Sequence, residues 1–295
     1  MKSCRNAISA GILAFWIVTV ATSCQKDTFS QVPFYCKIES PLLIWEGDTL
    51  QGFIPDGWVF QGATLVGAFS LPKVIPLLDY SPKPIMIGGG IWENNDPAYR
   101  KIYPFWQFYL HSISSPPKPL DTLHVQPIFY YFADTAYRIP FHENFEAPDL
   151  KLIQFRTRND SVILRRVISF FNNTTTRCGY AAFDSTARVL EITSQDFFDI
   201  PLNNAQSAWL EIMFRGNIKF GISLLRREGG MSIIAPLILP TYTSFQKEKW
   251  QMAYFYLFPL IQNLGKGPYK LYILAQADGN FRELFIDNVR VLHFR

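Results

Sequence analysis

Between Phe34 and Arg138 no stretch carries an apolar stripe at helical spacing for three turns, which excludes a helical bundle. The chain instead runs in short apolar and aromatic segments cut by proline and glycine. Examples are "GWVFQGATLVGAFSLP" (57–72), "KPIMIGGGIW" (83–92) and "PIFYYFAD" (127–134). Segments of roughly four to eight residues between turn signals read as strands. From Ile139 onward the segments lengthen: "AWLEIMF" (208–214), "KFGISLL" (219–225), "KWQMAYFYL" (249–257), "YKLYILAQA" (269–277) and "RELFIDNVRVLHF" (282–294). The intervening "RGN", "REGG", "GKGP" and "ADGN" are turn chemistry. Aromatic residues at 16%, with 20 prolines, suit strands joined by proline-rich turns. No βαβ alternation and no internal repeat is present. The expectation is an all-β chain: a small N-terminal β-sandwich, immunoglobulin- or transthyretin-like, over 34–138, then a second sandwich over 139–295.

The first residues form a separate segment. Met1 to Arg5 carry two positive charges and no acid, and Ala7–Ala21 is almost wholly apolar. That run is short of the about 20 residues that span a membrane, and it reads as an export signal over 1–23. Thr22-Ser23-Cys24 resembles the lipobox of bacterial lipoproteins. The resemblance implies cleavage before Cys24, acylation of its thiol, and a lipidated tether over 24–33. Gln25-Lys26-Asp27 resembles the surface-export signal of Bacteroidota lipoproteins, and Thr28-Phe29 departs from it. The implied location is the outer membrane, lipid-anchored, facing the cell surface or else the periplasm.

Net charge is +4, on 28 basic and 24 acidic residues, with no Lys/Arg block. Nothing here is the pattern of a nucleic-acid reader. Cys36 and Cys178 remain after the signal and the lipidated cysteine are set aside. They lie far apart in sequence, and two buried free thiols is the reading, although an exported compartment permits a disulfide. Two cysteines without a histidine cluster make no zinc site.

"HENFE" (142–146), "RCGYAAF" (177–183) and "LFIDNVRV" (284–291) together resemble the jelly roll of carbohydrate-binding modules. That resemblance implies adjacent first and last strands, with Glu146 and Asp287 meeting at a structural calcium ion. The plain alternative is two solvated carboxylates. Glycan binding would need exposed aromatic platforms, for which Trp92 and Trp106 border turns; Trp209 and Trp250 sit inside strands and read as core.

Catalytic signatures are missing. His142-Glu143 has no second histidine four residues after the first, no G-x-S-x-G elbow occurs, and "IGGGIW" lacks the Lys-Ser/Thr and following helix of a phosphate cradle. A tight turn accounts for those glycines. Glu143 and Glu146, three apart on a strand, would point to opposite faces. The expectation is therefore no enzyme and no cofactor beyond the calcium. Asp-Ser/Thr pairs recur at Thr49, Thr122, Thr135, Ser161 and Ser185, resembling O-glycosylation acceptors of exported Bacteroidota proteins; turns also favour such pairs. The function expected is an interaction subunit of an envelope assembly for secretion, insertion or uptake. The alternative is a glycan-binding lipoprotein. A large flat apolar patch favours the first, an exposed tryptophan pair the second.

Overall fold

A computed structural model describes residues 31–45, 48–171, 174–228, 230–239 and 249–295. Cys24 and Gln25-Lys26-Asp27 lie outside the described residues.

The N-terminal unit contains β1 (Phe34–Ile38), β2 (Leu42–Trp45), β3 (Asp48–Gln51), β4 (Asp56–Gln61), β5 (Thr64–Ser70), β6 (Lys73–Leu77), β7 (Ile85–Trp92), β8 (Arg100–Ile102), β9 (Tyr109–His111), β10 (Thr122–Val125) and β11 (Ile128–Tyr130). They make three sheets: β10-β1-β6, β11-β2-β3, and β5-β4-β7-β8 with β9 also on β7. Two pairings, β1 with β10 and β2 with β11, are parallel. Gly88, Gly89 and Gly90 lie inside β7, which corrects the turn expected for "IGGGIW". A Cβ would come 2.9 Å from Phe108 at Gly88, 2.7 Å from Trp106 at Gly89, and 2.9 Å from the Asp56 Cβ at Gly90. Neighbouring side chains on both faces already fill that space, so only glycine fits a straight strand there.

The rest of the chain supplies β12 (Tyr137–Glu143), β13 (Leu152–Gln154), β14 (Arg165–Phe171), β15 (Thr174–Phe183), β16 (Val189–Ser194), β17 (Phe198–Asp199), β18 (Trp209–Gly216), β19 (Phe220–Glu228), β20 (Met231–Ile234), β21 (Gln251–Tyr256), β22 (Pro268–Gln276) and β23 (Arg282–Phe294). One sheet runs β14-β15-β23-β18-β21 with β12 also on β23; the other runs β13-β16-β22-β19-β20 with β17 also on β22. First and last strands of this sandwich are thus adjacent. The α-helix α1 (Phe258–Leu264) begins with Pro259 in its first turn and ends at Gly265. It buries Leu260, Ile261 and Leu264.

The two sheets enclose one core. Leu210, Ile212 and Phe214 of β18 meet Leu190, Ile192, Leu271 and Ile273 of the facing sheet. The opposite face of β18 and its neighbours is also covered. Trp209, Met213, Met252, Tyr254 and Leu292 belong to a second core with Phe34, Val59, Ile87 and Trp106 of the N-terminal unit. A sheet buried on both faces explains why β18 reads as a continuous apolar run.

A bulge in β23 sets which residues face which core. Pairing with β18 shifts between Glu211 and Met213, and Asn288 takes a left-handed φ of +46°. Leu284 and Ile286 point into the sandwich before it, and Val289 and Val291 after it. Strict alternation would have sent Arg290 into that core. The inserted residue instead turns Arg290 toward the N-terminal unit, opposite Glu211.

Candidate functional site

Alternation along β16 and β22 builds the site. Leu190 and Ile192 point inward, so Glu191 and Thr193 point outward; Leu271 and Ile273 point inward, so Tyr272 points outward. The register places Thr193 and Ser223 on either side of Tyr272. After β13 the chain runs on beside β16. The Phe155 amide donates to the Glu191 carbonyl at 2.9 Å and the Val162 amide to the Val189 carbonyl at 2.8 Å. The segment between these anchors lies over the outward face.

Three side chains converge on Glu191, which is 3% exposed, and a fourth, Phe155, packs against two of them. The Tyr272 hydroxyl donates to Oε1 at 2.8 Å. Arg158 Nη2 stands 3.5 Å from Oε2 and Arg156 Nη1 stands 3.9 Å from Oε1. Phe155 meets Tyr272 edge to face, with ring centroids 5.4 Å apart, and Arg156 lies 4.9 Å from the Phe155 ring centre. Both guanidinium-bearing side chains are open to solvent, 53% for Arg156 and 51% for Arg158. Burial, and then Glu191, push the Tyr272 phenol well above its ordinary range, so it remains a donor. Oε2 of Glu191 is buried and accepts no hydrogen bond from the described residues. A partly exposed ring beside two open guanidinium forks, anchored on a buried carboxylate, can bind a polyhydroxylated ring by its apolar face and its edge.

None of these five residues belongs to a sequence motif. The usable signal was alternation: Glu191 is the charged position between two core residues, and Phe155-Arg156-Thr157-Arg158 alternates a cation every second residue.

A second surface lies on the N-terminal unit. Leu65, Phe60, Met86 and Leu110 form one cross-strand row on the solvent face of β5-β4-β7-β9. Beside it, Trp58 stands opposite Gly88, over which Phe108 lies. Leu65, Phe108 and Leu110 are exposed. The next row is polar: buried Asp56 accepts from Trp92 Nε1 at 2.9 Å and Ser70 Oγ at 3.0 Å, with Arg100 Nε at 3.3 Å.

The expected site residues fall as follows. Trp92 has its indole N–H committed to Asp56, and it is half-buried. Trp106 is 2% exposed, among Tyr103, Phe129 and Tyr254, so it is core and no platform. Glu146 lies beyond the end of β12, exposed, and accepts from the Arg177 amide at 2.9 Å and the Thr176 hydroxyl at 3.0 Å. Glu143 is the buried carboxylate of "HENFE", holding the amides of Phe145 and Lys151. Asp287 is buried and accepts from the Asn288 amide at 2.7 Å. No group of three or more His, Cys, Asp or Glu converges among the described residues. Two carboxylates already engaged with the protein do not fit a calcium shell of six to eight oxygens. Cys36 and Cys178 are both buried and free, and burial pushes each thiol to about 11. Thr49, Thr122, Thr135 and Ser185 are exposed, whereas Ser161 is half-buried and its hydroxyl accepts from the Arg158 amide at 2.7 Å.

No protein-family model matches the chain, and no curated protein does. Among solved structures it is similar to a family 30 carbohydrate-binding module of a cellulosomal cellulase of Clostridium thermocellum: 12% identity, TM-score 0.33, over 52% of this chain and 92% of that one. It is also similar to a xylan-binding domain of Paenibacillus barcinonensis: 11% identity, TM-score 0.34, over 55% and 99% of the two chains. These neighbours are carbohydrate-binding modules, and the likeness is loose.

Proposed function

We propose that the chain binds a glycan on the outward face of the β13-β16-β22-β19-β20 sheet, around Glu191. The observation that carries this is a partly exposed Phe155 beside two solvent-open arginines that the buried Glu191 carboxylate holds together. Sugar hydroxyls meet the solvent-open guanidinium forks of Arg156 and Arg158, and the ring's C–H face supplies the contact for Phe155. In this reading the chain is a non-enzymatic lipoprotein, held at the outer membrane by acyl chains on Cys24, with Gln25-Lys26-Asp27 directing it outward. Titration of the chain against a panel of polysaccharides tests the reading. Saturable binding lost in Glu191→Ala supports it, and no binding across the panel removes it.

A second reading, an interaction subunit of an envelope assembly, is favoured by the apolar row of Leu65, Phe60, Met86 and Leu110 beside Phe108. Contiguous exposed apolar surface of this kind marks partner contact. Co-purification of a fixed partner from detergent-solubilised membrane, lost in Leu65→Ser/Leu110→Ser, supports it; recovery of this chain alone counts against it.

A further inference from the structure

We infer that the glycan taken at Glu191 is an acidic one, whose uronate carboxylates are held by Arg156 and Arg158. The inference rests on the glycan reading above and narrows its ligand.

Charge at the site does not balance. Two guanidinium groups face a single carboxylate, at 3.9 and 3.5 Å. The neighbouring Arg188 and Asp160, 3.9 Å apart, offset each other. One positive charge is left over on the open face. Both contacts to Glu191 are ion-pair distances, and neither guanidinium donates a hydrogen bond among the described residues. Apart from the two nitrogens that face Glu191, the N–H donors of the two forks meet no acceptor among the described residues, and each guanidinium carries about five.

Geometry points the same way. Arg156 and Arg158 are two apart in a segment whose ends are fastened to β16 by the Phe155 and Val162 amides. The Arg158 amide is further fixed on Ser161 Oγ at 2.7 Å. Arg156 is held over the Phe155 ring, 4.9 Å from its centre, so its plane is oriented before any ligand arrives. A planar fork matches a carboxylate through two parallel hydrogen bonds, which a neutral hydroxyl cannot do. Glu191 lies buried beneath the forks and holds the two arginines side by side.

The plain alternative is that both arginines serve only to neutralise Glu191 and pin the 155–161 segment to the sheet. Binding data separate the two. The chain is titrated with polygalacturonate, alginate and glucuronoxylan, each against its carboxyl-reduced counterpart. The expected result is binding of at least one acidic polymer, at least tenfold tighter than its reduced form, weakening as salt is raised. Arg156→Gln/Arg158→Gln should abolish the difference between acidic and reduced polymers. Arg156→Lys/Arg158→Lys, which keeps charge and loses the forks, should retain part of it. Equal affinity for acidic and reduced polymers overturns the acidic assignment and leaves the glycan reading standing. Binding of neither kind, nor of any other polysaccharide, overturns both.

Discussion

Glu211 and Arg290 stand opposite each other in the register of β18 and β23, and their ion pair is sealed by residues of the N-terminal unit. Arg290 Nε donates to Glu211 Oε2. The hydroxyls of Tyr103 and Tyr131 donate to Oε1. Trp45 covers the guanidinium, 3.4 Å from its ring centre. Burial alone would lower the arginine's pKa, but Glu211 outweighs it and keeps the group charged. The bulge at Asn288 is what brings the two side chains to this face. Breaking a fully buried pair of this kind costs far more than the intact pair adds in net stability.

Removing one partner should be far worse than removing both. Arg290→Met leaves Glu211 charged and buried, and it should cost about 3–5 kcal/mol in denaturant unfolding. Adding Glu211→Gln, which removes the charge and keeps an acceptor for the Tyr103 and Tyr131 hydroxyls, should recover much of that loss. A single variant as stable as the wild type would show that water reaches the pair.

Alkaline pH should weaken the same junction. Burial, and then Glu211, raise the phenols of Tyr103 and Tyr131 well above 10.0; Tyr254 is raised by burial and then Tyr131. In the unfolded chain these tyrosines ionise near their ordinary value, while the folded chain keeps them protonated. Their contribution is therefore fully present below about pH 10 and is lost as pH rises beyond it. Unfolding free energies measured from pH 8 to pH 11 should stay level and then fall. Phenolate absorbance of these residues appearing near pH 10 in the intact fold would contradict this.

Asn288 should tolerate glycine and resist β-branched residues. Its left-handed φ of +46° carries the bulge that turns Arg290 toward the N-terminal unit. Asn288→Gly should leave the melting temperature close to wild type, while Asn288→Val should cost about 1–2 kcal/mol or more. Equal stability of the two variants would mean that the backbone there is not held in this conformation.

Much of the second half was legible in the sequence. The bounds of β23, Arg282–Phe294, coincide with the segment read between "ADGN" and the chain's last residue, because strong turn chemistry precedes a long apolar run. Helix α1 was not legible, since seven residues beginning at Phe258-Pro259 are too short to display a period. The parallel pairs in the N-terminal unit escaped for another reason: no turn joins their strands. Gly88–Gly90 looked like a turn because the sequence does not show that Phe108, Trp106 and Asp56 crowd that strand. Trp106 shows the same limit, since an aromatic beside a turn can face either way. At the candidate site β22 was read as a strand but β13 and β16 were not, and the meeting of Phe155 and Arg158 with Glu191, across long sequence separations, comes only from the pairing of β13, β16 and β22.

The central claim is that a sugar ring seats on Phe155 beside the arginine forks that Glu191 holds. Calorimetric titration of wild type and Phe155→Ala, each with the best-bound polysaccharide, measures it directly. Removing a stacking ring should cost about 1.4 kcal/mol, or tenfold in affinity, with the melting temperature little changed because Phe155 is partly exposed. Undiminished binding in Phe155→Ala and in Glu191→Ala would place the ligand elsewhere on the molecule and contradict the account.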